Sequence, residues 1–314
     1  MFSKFVSELQ QNWKSGITVG VVSLPLSIAL SIASGAGPIP GVITGIWACL
    51  FAALFASNNY NIIGAAGALT TLLATIASVN LIGASGSVFI LPFLAILVGL
   101  VILLVYVLKL DRYLTYIPSS VMYGFAAGVA ILIALTQLND ALGLVGLEKH
   151  PHFIENMKET VVHLSQVSVS TLGIFIIFLT TLLVWKKYIK KVPGVIPVAI
   201  LGILFGYAVK HLALPFDVIT LGDRYTLDAA LYQALDIHSF LAFVQSPSGI
   251  MLLVKTAVVV ALVAILETLI TAKLADKLTK TTSNAQIELR GLGLANIASG
   301  LFGGLPATGV FIRT

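Results

Sequence analysis

The sequence predicts an all-α polytopic membrane protein, and three observations support this fold class. Of the 314 residues, 58% are hydrophobic and only 10% are charged, whereas soluble domains carry about 25% charged residues. The apolar runs are about 20 residues long, which is the length that a helix needs to cross a bilayer. Polarity does not alternate within these runs, which argues against the strands of an outer-membrane barrel.

Nine apolar segments and the beginning of a tenth are predicted as membrane spans. The strongly apolar segments are 16–34, 41–57, 88–108, 118–138, 171–185, 193–209 and 252–272. Two weaker segments, at 62–79 and 287–301, are rich in Gly and Ala, and the tenth span begins at Pro306. The stretches 140–169 and 212–249 are predicted as outer loops, the second with short interfacial helices.

The distribution of Lys and Arg predicts a cytoplasmic N-terminus, because most of these residues then fall in inner loops. The asymmetry requires that both weak segments cross the membrane. The basic run 186–191 could be read as a nucleic-acid patch, but its place directly after Trp185 favours a positive-inside anchor. Met1 to Lys14 does not resemble a cleaved signal peptide. We therefore expect a multi-pass protein of the cell (inner) membrane, in contact with lipid and not with nucleic acid.

Two charged residues in predicted spans are candidates for a functional role, because a charge within the membrane is expensive and usually functional. They are Glu267, in the middle of the eighth span, and Arg313, seven residues after Pro306. Thr271 follows Glu267 by four residues and shares its helix face. A carboxylate beside a hydroxyl predicts a site for Na⁺ or H⁺. The alternative is a structural carboxylate that is bonded to neighbouring helices.

The third and tenth spans share an unusual beginning. The third starts with the small residues of 64–71, and the tenth starts with those of 303–309. Interrupted spans at matching places in two halves indicate a binding site at the membrane midplane, where helix N-termini attract an anion. Tight helix packing by small residues is the alternative. The offset of seven spans favours a seven-plus-seven inverted repeat.

Other chemistry has little support in the sequence. The histidines of the outer loop (His150, His152 and His163) have no carboxylate or cysteine at metal-ligand spacing. No nucleophile and base pair is found in the spans, so an enzyme is not expected. Cys49 is the only cysteine, which rules out a disulfide within the chain.

Two stretches carry a resemblance to a known family. The first is 16–25, continuing to Gly35 and Pro38. The second comprises Glu267-Thr268-Leu269, Ala275-Asp276, Asn284, Glu288-Leu289, Gly293, Asn296, Gly300, the run 303–309 and Arg313-Thr314. Together they resemble the SulP (sulfate permease) family of inorganic anion transporters along the whole chain.

The resemblance implies fourteen spans in two inverted repeats, with a core domain that moves like an elevator against a gate domain. Residues 1–110 (spans 1–4) and 250–314 (span 8 to the start of span 10) would belong to the core, and 111–249 (spans 5–7) to the gate. The chain would end within the tenth span. A homodimer and a C-terminal STAS domain are usual in the family.

The resemblance also implies site residues. For the anion these are Ala68, Thr70, the backbone N–H groups of Val310, Phe311 and Ile312, and the positive charge of Arg313. For a coupling Na⁺ or H⁺ they are Glu267, Thr271 and Gly309, with Glu267 and Thr271 as ligands in the case of Na⁺. Leu26 and Ile312 replace the Gln and Ser that many members carry, and Leu26 favours bicarbonate over sulfate.

We therefore expect a secondary active transporter of sulfate-class or bicarbonate-class anions that is coupled to Na⁺ or H⁺ through Glu267. A nucleobase carrier of the same fold is one alternative, although the tenth span offers Arg313 and no acid. A passive anion channel is another, and Glu267 argues against it. No cofactor is expected apart from the coupling ion.

Overall fold

The computed structural model describes residues 2–77, 88–110, 112, 119–147, 153–189, 194–212, 220–225 and 231–310. The helices are α1 (Phe2–Ala33), α2 (Pro38–Phe55), α3 (Gly67–Ala77), α4 (Ile90–Val107), α5 (Ser119–Thr136), α6 (Leu138–Leu142), α7 (Phe153–Val162), α8 (Val169–Tyr188), α9 (Val195–His211), α10 (Leu221–Arg224), α11 (Ile237–Val244), α12 (Pro247–Thr279) and α13 (Ala285–Leu301). A 3₁₀ turn covers Leu164–Gln166, and two short strands are β1 (Ile63–Gly64) and β2 (Thr308–Gly309).

The helices confirm the predicted all-α polytopic architecture. Five of the described helices are long and apolar enough to cross a membrane: Asn12–Ala33 within α1, α2, α4, α8 and α12. Shorter apolar helices cover Gly67–Ala77, Ala127–Thr136 and Val195–His211. The predicted outer loop at 212–249 contains the short helices α10 and α11, as expected. The eighth span is longer than predicted, because α12 extends by a turn or more beyond both ends of 252–272.

A tight turn brings α2 back along α1. Gly35 and Gly37 adopt φ angles of 79° and 77°, which only glycine adopts without strain. Pro38 then starts α2 at a position where a missing N–H costs nothing. A Cβ on Gly41 would lie 2.2 Å from the Ser27 carbonyl oxygen, so the two backbones approach as closely as a glycine permits.

The weakly apolar helix α13 is packed between α2 and α4 through small residues. A Cβ on Gly300 would lie 2.4 Å from the Pro92 carbonyl oxygen, and one on Gly291 would lie 2.5 Å from the Ala56 Cβ. Such close packing explains why this helix contains few large apolar side chains. Its Gly- and Ala-rich composition is therefore a packing feature, and the predicted ninth span is confirmed as a helix.

The hydrophobic core is formed by α2, α3, α4, α11, α12 and α13. The helices between α4 and α11 contribute little to it. None of the twenty described residues of α8 is buried, and the buried residue of α9 is Val209. α5 contacts α3, and α9 contacts α1. The described chain thus has a densely packed body and a second group of helices that is attached through few contacts.

Candidate functional site

The two interrupted segments meet in the structure and form one small antiparallel sheet. Ile63 of β1 pairs with Gly309 of β2, and Gly64 pairs with Thr308. The Val310 N–H also donates to the Ile62 carbonyl at 2.9 Å. The sequence predicted an interrupted span at each place. The structure adds the direct pairing of the two segments.

The first segment leads into the half-helix α3, which starts at Gly67. Ala68 and Thr70, both predicted for the anion, are buried in its first turn, and the Thr70 hydroxyl donates to the Gly67 carbonyl at 2.8 Å. The Thr71 hydroxyl is buried without a hydrogen-bond partner in the described structure. A helix N-terminus carries unpaired N–H groups and partial positive charge, so this turn can attract an anion.

The second segment is held in an extended form by polar side chains of α13. The Asn296 side chain donates to the Ala307 carbonyl at 2.9 Å and accepts from the Ala307 N–H at 2.8 Å. The Ser299 hydroxyl donates to the Leu305 carbonyl at 2.6 Å. The Leu305 N–H in turn donates to the Thr44 hydroxyl of α2 at 2.7 Å. These bonds satisfy backbone groups that hydrocarbon surroundings would leave unpaired.

Glu267 faces this sheet from α12 and is only 3% exposed. Its Oε2 atom has no hydrogen-bond partner in the described structure, and the Thr308 side chain lies close enough to interact with the carboxyl group. The Thr271 hydroxyl donates to the Glu267 backbone carbonyl at 2.6 Å. No ion pair to Glu267 is found among the described residues. A buried carboxyl group of this kind needs a proton or a cation to offset its charge.

Thr268 connects α12 to β2, which the sequence did not suggest. The Gly309 N–H donates to the Thr268 hydroxyl at 2.9 Å. The hydroxyls of Thr268 and Thr308 are 3.0 Å apart, and the Thr308 hydroxyl also donates to the Ala264 carbonyl at 2.9 Å. Gly309 and Glu267, both predicted for the coupling ion, are thereby held on adjoining elements. Thr271 lies one turn further along α12.

A second buried carboxylate, Glu288, was missed as a site candidate. It lies in the first turn of α13 and is 0% exposed. Its oxygens accept hydrogen bonds from Ser57, Asn58 and Asn61 in the segment between α2 and β1. Glu288 lies inside the predicted ninth span and also in the second stretch that carries the family resemblance. Both signals were available, but no role was inferred for Glu288 from either.

The predicted anion positions that follow β2 are Val310, Phe311, Ile312 and Arg313. Phe311, Ile312 and Arg313 lie outside the described residues. Val310 is described, and its N–H is used by the Ile62 carbonyl. The anion-binding role of these four positions stays a prediction.

A cavity of about 300 Å³ lies near the connections that precede α2, α4 and α11 and near the segment that follows α13. Its lining includes Phe89, Gln233, Asp236 and Leu305. None of the predicted anion or cation residues lines it. The cavity therefore adjoins the second segment at Leu305, and neither β1 nor β2 lines it.

Comparison with known proteins agrees with this geometry. The profile of the Sulfate permease family matches residues 9–314. "Putative sulfate transporter YvdB" of Bacillus subtilis (strain 168) is 34% identical over 313 residues, which cover 98% of this chain and 56% of that protein. "Bicarbonate transporter BicA" of Picosynechococcus sp. is 29% identical over 217 residues, which cover 66% of this chain and 35% of that protein. The chain thus spans about half, or less, of the length of these relatives.

Among solved structures, the transmembrane domain of a cyanobacterial bicarbonate transporter BicA superposes with a TM-score of 0.81 and 26% identity. The superposition covers 97% of this chain and 75% of that domain. Both the fold and the sequence match extend over nearly the whole chain. On these grounds the chain belongs to the sulfate permease (SulP) family, whose members named here are transporters and not enzymes.

Proposed function

We propose that the protein is a secondary active transporter of small inorganic anions of the sulfate or bicarbonate class, driven by Na⁺ or H⁺ through Glu267. One observation carries the proposal. The antiparallel pair β1–β2 brings two interrupted spans together directly beside a buried carboxyl group. The names of the relatives, which include sulfate and bicarbonate transporters, support the choice of anion class.

Anion binding would use the ends of the two half-spans. The N-terminus of α3, with Ala68 and Thr70, begins three residues after β1. Phe311, Ile312 and Arg313 follow β2 in the chain after one intervening residue, Val310. The chain leaves the antiparallel strands β1 and β2 at opposite ends of the pair. Because each strand has only two residues, the two segments that follow still start close to one another. Backbone N–H groups and the Arg313 charge would then supply the positive potential that an anion requires.

Cation coupling would use Glu267. An ionised Glu267 repels an anion at the neighbouring half-spans, whereas a bound Na⁺ or proton removes this repulsion. The free Oε2 atom of Glu267 and the oxygen of the Thr271 hydroxyl would be the side-chain ligands of a bound Na⁺. The Gly309 backbone lies next to Thr268 and would complete the surroundings of the ion. The anion and the cation would therefore bind with positive cooperativity.

The movement would be elevator-like. Helices α1–α4 and α12–α13, with the paired strands, would form the core, and α5–α9 would form the gate. The sparse burial in α8 and α9 supports such a division, because a moving interface cannot be as tightly packed as a rigid body. We further propose a cytoplasmic N-terminus and a homodimer of the intact protein in the cell (inner) membrane.

Uptake into proteoliposomes that contain the intact protein tests the proposal. Labelled sulfate and labelled bicarbonate are offered separately, with an imposed Na⁺ gradient, an imposed H⁺ gradient or neither. We expect uptake of one anion that requires one of the two gradients. Uptake that follows voltage alone, without a cation gradient, would favour a channel and would return Glu267 to a structural role.

A further inference from the structure

The Glu288 carboxylate is buried in the first turn of α13, against the segment that connects α2 to β1. Its Oε2 atom accepts the Ser57 N–H at 3.0 Å, the Ser57 hydroxyl at 3.1 Å and the Asn58 N–H at 3.0 Å. Its Oε1 atom accepts the Asn61 side-chain amide at 2.7 Å. All four bonds are charge-assisted when the carboxylate is ionised. The whole 57–61 segment is therefore organised around one carboxyl group.

Asn61 connects the 57–61 segment to the candidate site. The next residue, Ile62, accepts the Val310 N–H, and Ile63 pairs with Gly309. The Asn61 amide also lies 3.4 Å from the Thr268 carbonyl of α12. A Cβ on Gly309 would lie 2.9 Å from the Asn61 Oδ1 atom. Asn61 thus touches α12, α13 and β2 at once and fixes where β1 begins.

The other charged side chains near Glu288 form hydrogen bonds with other residues. Asp276 of α12 accepts the Asn58 side chain at 3.1 Å and the Ser283 hydroxyl at 2.6 Å. The Arg290 guanidinium donates to the Phe55 carbonyl at 3.2 Å. Both groups are bonded to other parts of the chain, and the Asn61 amide is the donor that links Glu288 to the paired strands.

We propose that the hydrogen bond between Asn61 and Glu288 positions the anion site, because it holds β1, and with it the N-terminus of α3, in register with β2. Neither residue contacts the anion in this role. The inference rests on the proposed function, since it concerns the geometry of the same half-spans. A shift of β1 would displace the first turn of α3 and weaken anion binding while the helices remain packed.

Exchanging amide and acid tests the bond itself. Asn61→Asp is isosteric and places two carboxyl groups against each other, which removes the bond and adds repulsion. Glu288→Gln combined with Asn61→Asp restores a donor and an acceptor with their roles reversed. Asn59→Asp is the matched control, because Asn59 is an exposed asparagine of the same segment. The unfolding temperature of the intact protein in detergent reports whether the bond exists.

For the bond, we expect Asn61→Asp to lower the unfolding temperature, the double variant to recover most of the loss, and Asn59→Asp to leave it unchanged. A double variant as unstable as Asn61→Asp alone would show that the two side chains are not coupled, and would overturn the proposal.

For positioning, KM and maximal rate of anion uptake are compared per amount of folded protein. We expect Asn61→Asp to raise KM about tenfold, the effect of losing roughly one charge-assisted hydrogen bond, with a maximal rate within about twofold of the wild type. An unchanged KM with a lower yield of folded protein would make the contact merely structural and would overturn the inference. If the wild type takes up no anion under any gradient, the proposed function is wrong, and the positioning role is wrong with it. The unfolding temperatures still show whether the Asn61–Glu288 hydrogen bond exists.

Discussion

The Thr268 hydroxyl accepts the Gly309 N–H at 2.9 Å, and this bond ties the helix that carries Glu267 to the second of the paired strands. β2 has β1 on one side and α12 on the other. A displacement of Glu267 would therefore also displace β2. Because β2 pairs with β1, it would then shift the beginning of α3, which follows β1. This contact connects the proposed cation site to the proposed anion site.

Replacement of Thr308 by Val should destabilise the protein. Thr308 is 0% exposed, and its hydroxyl bonds to the Ala264 carbonyl and approaches the Thr268 hydroxyl. The loss of one buried hydrogen bond predicts a decrease of about 1–2 kcal/mol in the free energy of unfolding. Thr181→Val is the matched control, because the Thr181 hydroxyl is exposed and bonds only within its own helix. Equal stability of the two variants in a denaturation assay would contradict the assigned network.

A side chain at position 309 should not be tolerated. A Cβ there would lie 2.9 Å from both the Thr268 Cα and the Asn61 Oδ1 atom, and the backbone of α12 cannot easily move away. We expect Gly309→Ala to cost about 1–3 kcal/mol through overpacking. Gly202→Ala in α9 serves as the control, because a Cβ at Gly202 meets no atom within 4 Å. The comparison is made by thermal unfolding in detergent, and a harmless Gly309→Ala would refute the close approach.

The spans were predictable from the sequence because each depends on local composition. Long apolar runs gave α2, α4, α8 and α12, and the small residues near Gly67 gave the interrupted third span. The pairing of Ile63 with Gly309 could not be predicted from local patterns. Strands of two residues have no periodicity, and the partners are separated by most of the chain. Their register is set by tertiary contacts such as the Asn296 clamp on Ala307.

Site residues could likewise be recognised from the sequence only where the local sequence marked them. Glu267 stood out because a single charge interrupts an apolar run. Asn296 and Thr268 are uncharged, and their importance arises from backbone groups that the fold brings to them. Glu288 is charged, but it lies close to the end of its span, where a carboxylate would ordinarily reach water. Its burial depends on the segment around Ser57, which only the structure places over it.

Gly67 should be required because Ile133 lies against it. A Cβ at Gly67 would be 2.0 Å from the Ile133 Cδ1 atom and 2.3 Å from its Cγ1 atom. We expect Gly67→Ala to lower stability by about 1 kcal/mol or more, since the side chain of α5 must move. Ile133→Ala should rescue Gly67→Ala, because it removes both clashing atoms. If the double variant is less stable than either single variant, as it would be without contact between the two residues, the arrangement is wrong.

The exposed pair of Asp223 and Lys210 should give a small dependence of stability on pH. The hydrogen bond from Lys210, followed by those from Thr220, lowers the pKa of Asp223 from 3.8 to about 2. A carboxylate with a lowered pKa stabilises the folded state above about pH 4, and this contribution is lost as the pH falls from about 4 to 2.

This dependence can be measured as a difference between variants. The unfolding temperature of Asp223→Asn, subtracted from that of the wild type, should be positive and constant above about pH 4 and should shrink toward zero near pH 2. Lys210→Met should shrink the difference already at neutral pH, because Lys210 is the largest cause of the shift. A difference that grows as the pH falls would contradict the assignment. The effect should be small, because both side chains are well exposed to solvent.

Replacement of Glu267 by Gln should abolish cation dependence and preserve the fold. Gln is isosteric and neutral, so it imitates the carboxyl group whose charge has been offset, and it leaves the Thr271 bond to the backbone carbonyl intact. Anion uptake by this variant should no longer respond to a Na⁺ or H⁺ gradient, and its unfolding temperature should not fall. Glu155→Gln, on an exposed position of α7, controls for the loss of one negative charge. Retained gradient dependence in the Glu267 variant would assign the coupling to another group, and a collapse of stability would assign the buried carboxyl group to the structure alone.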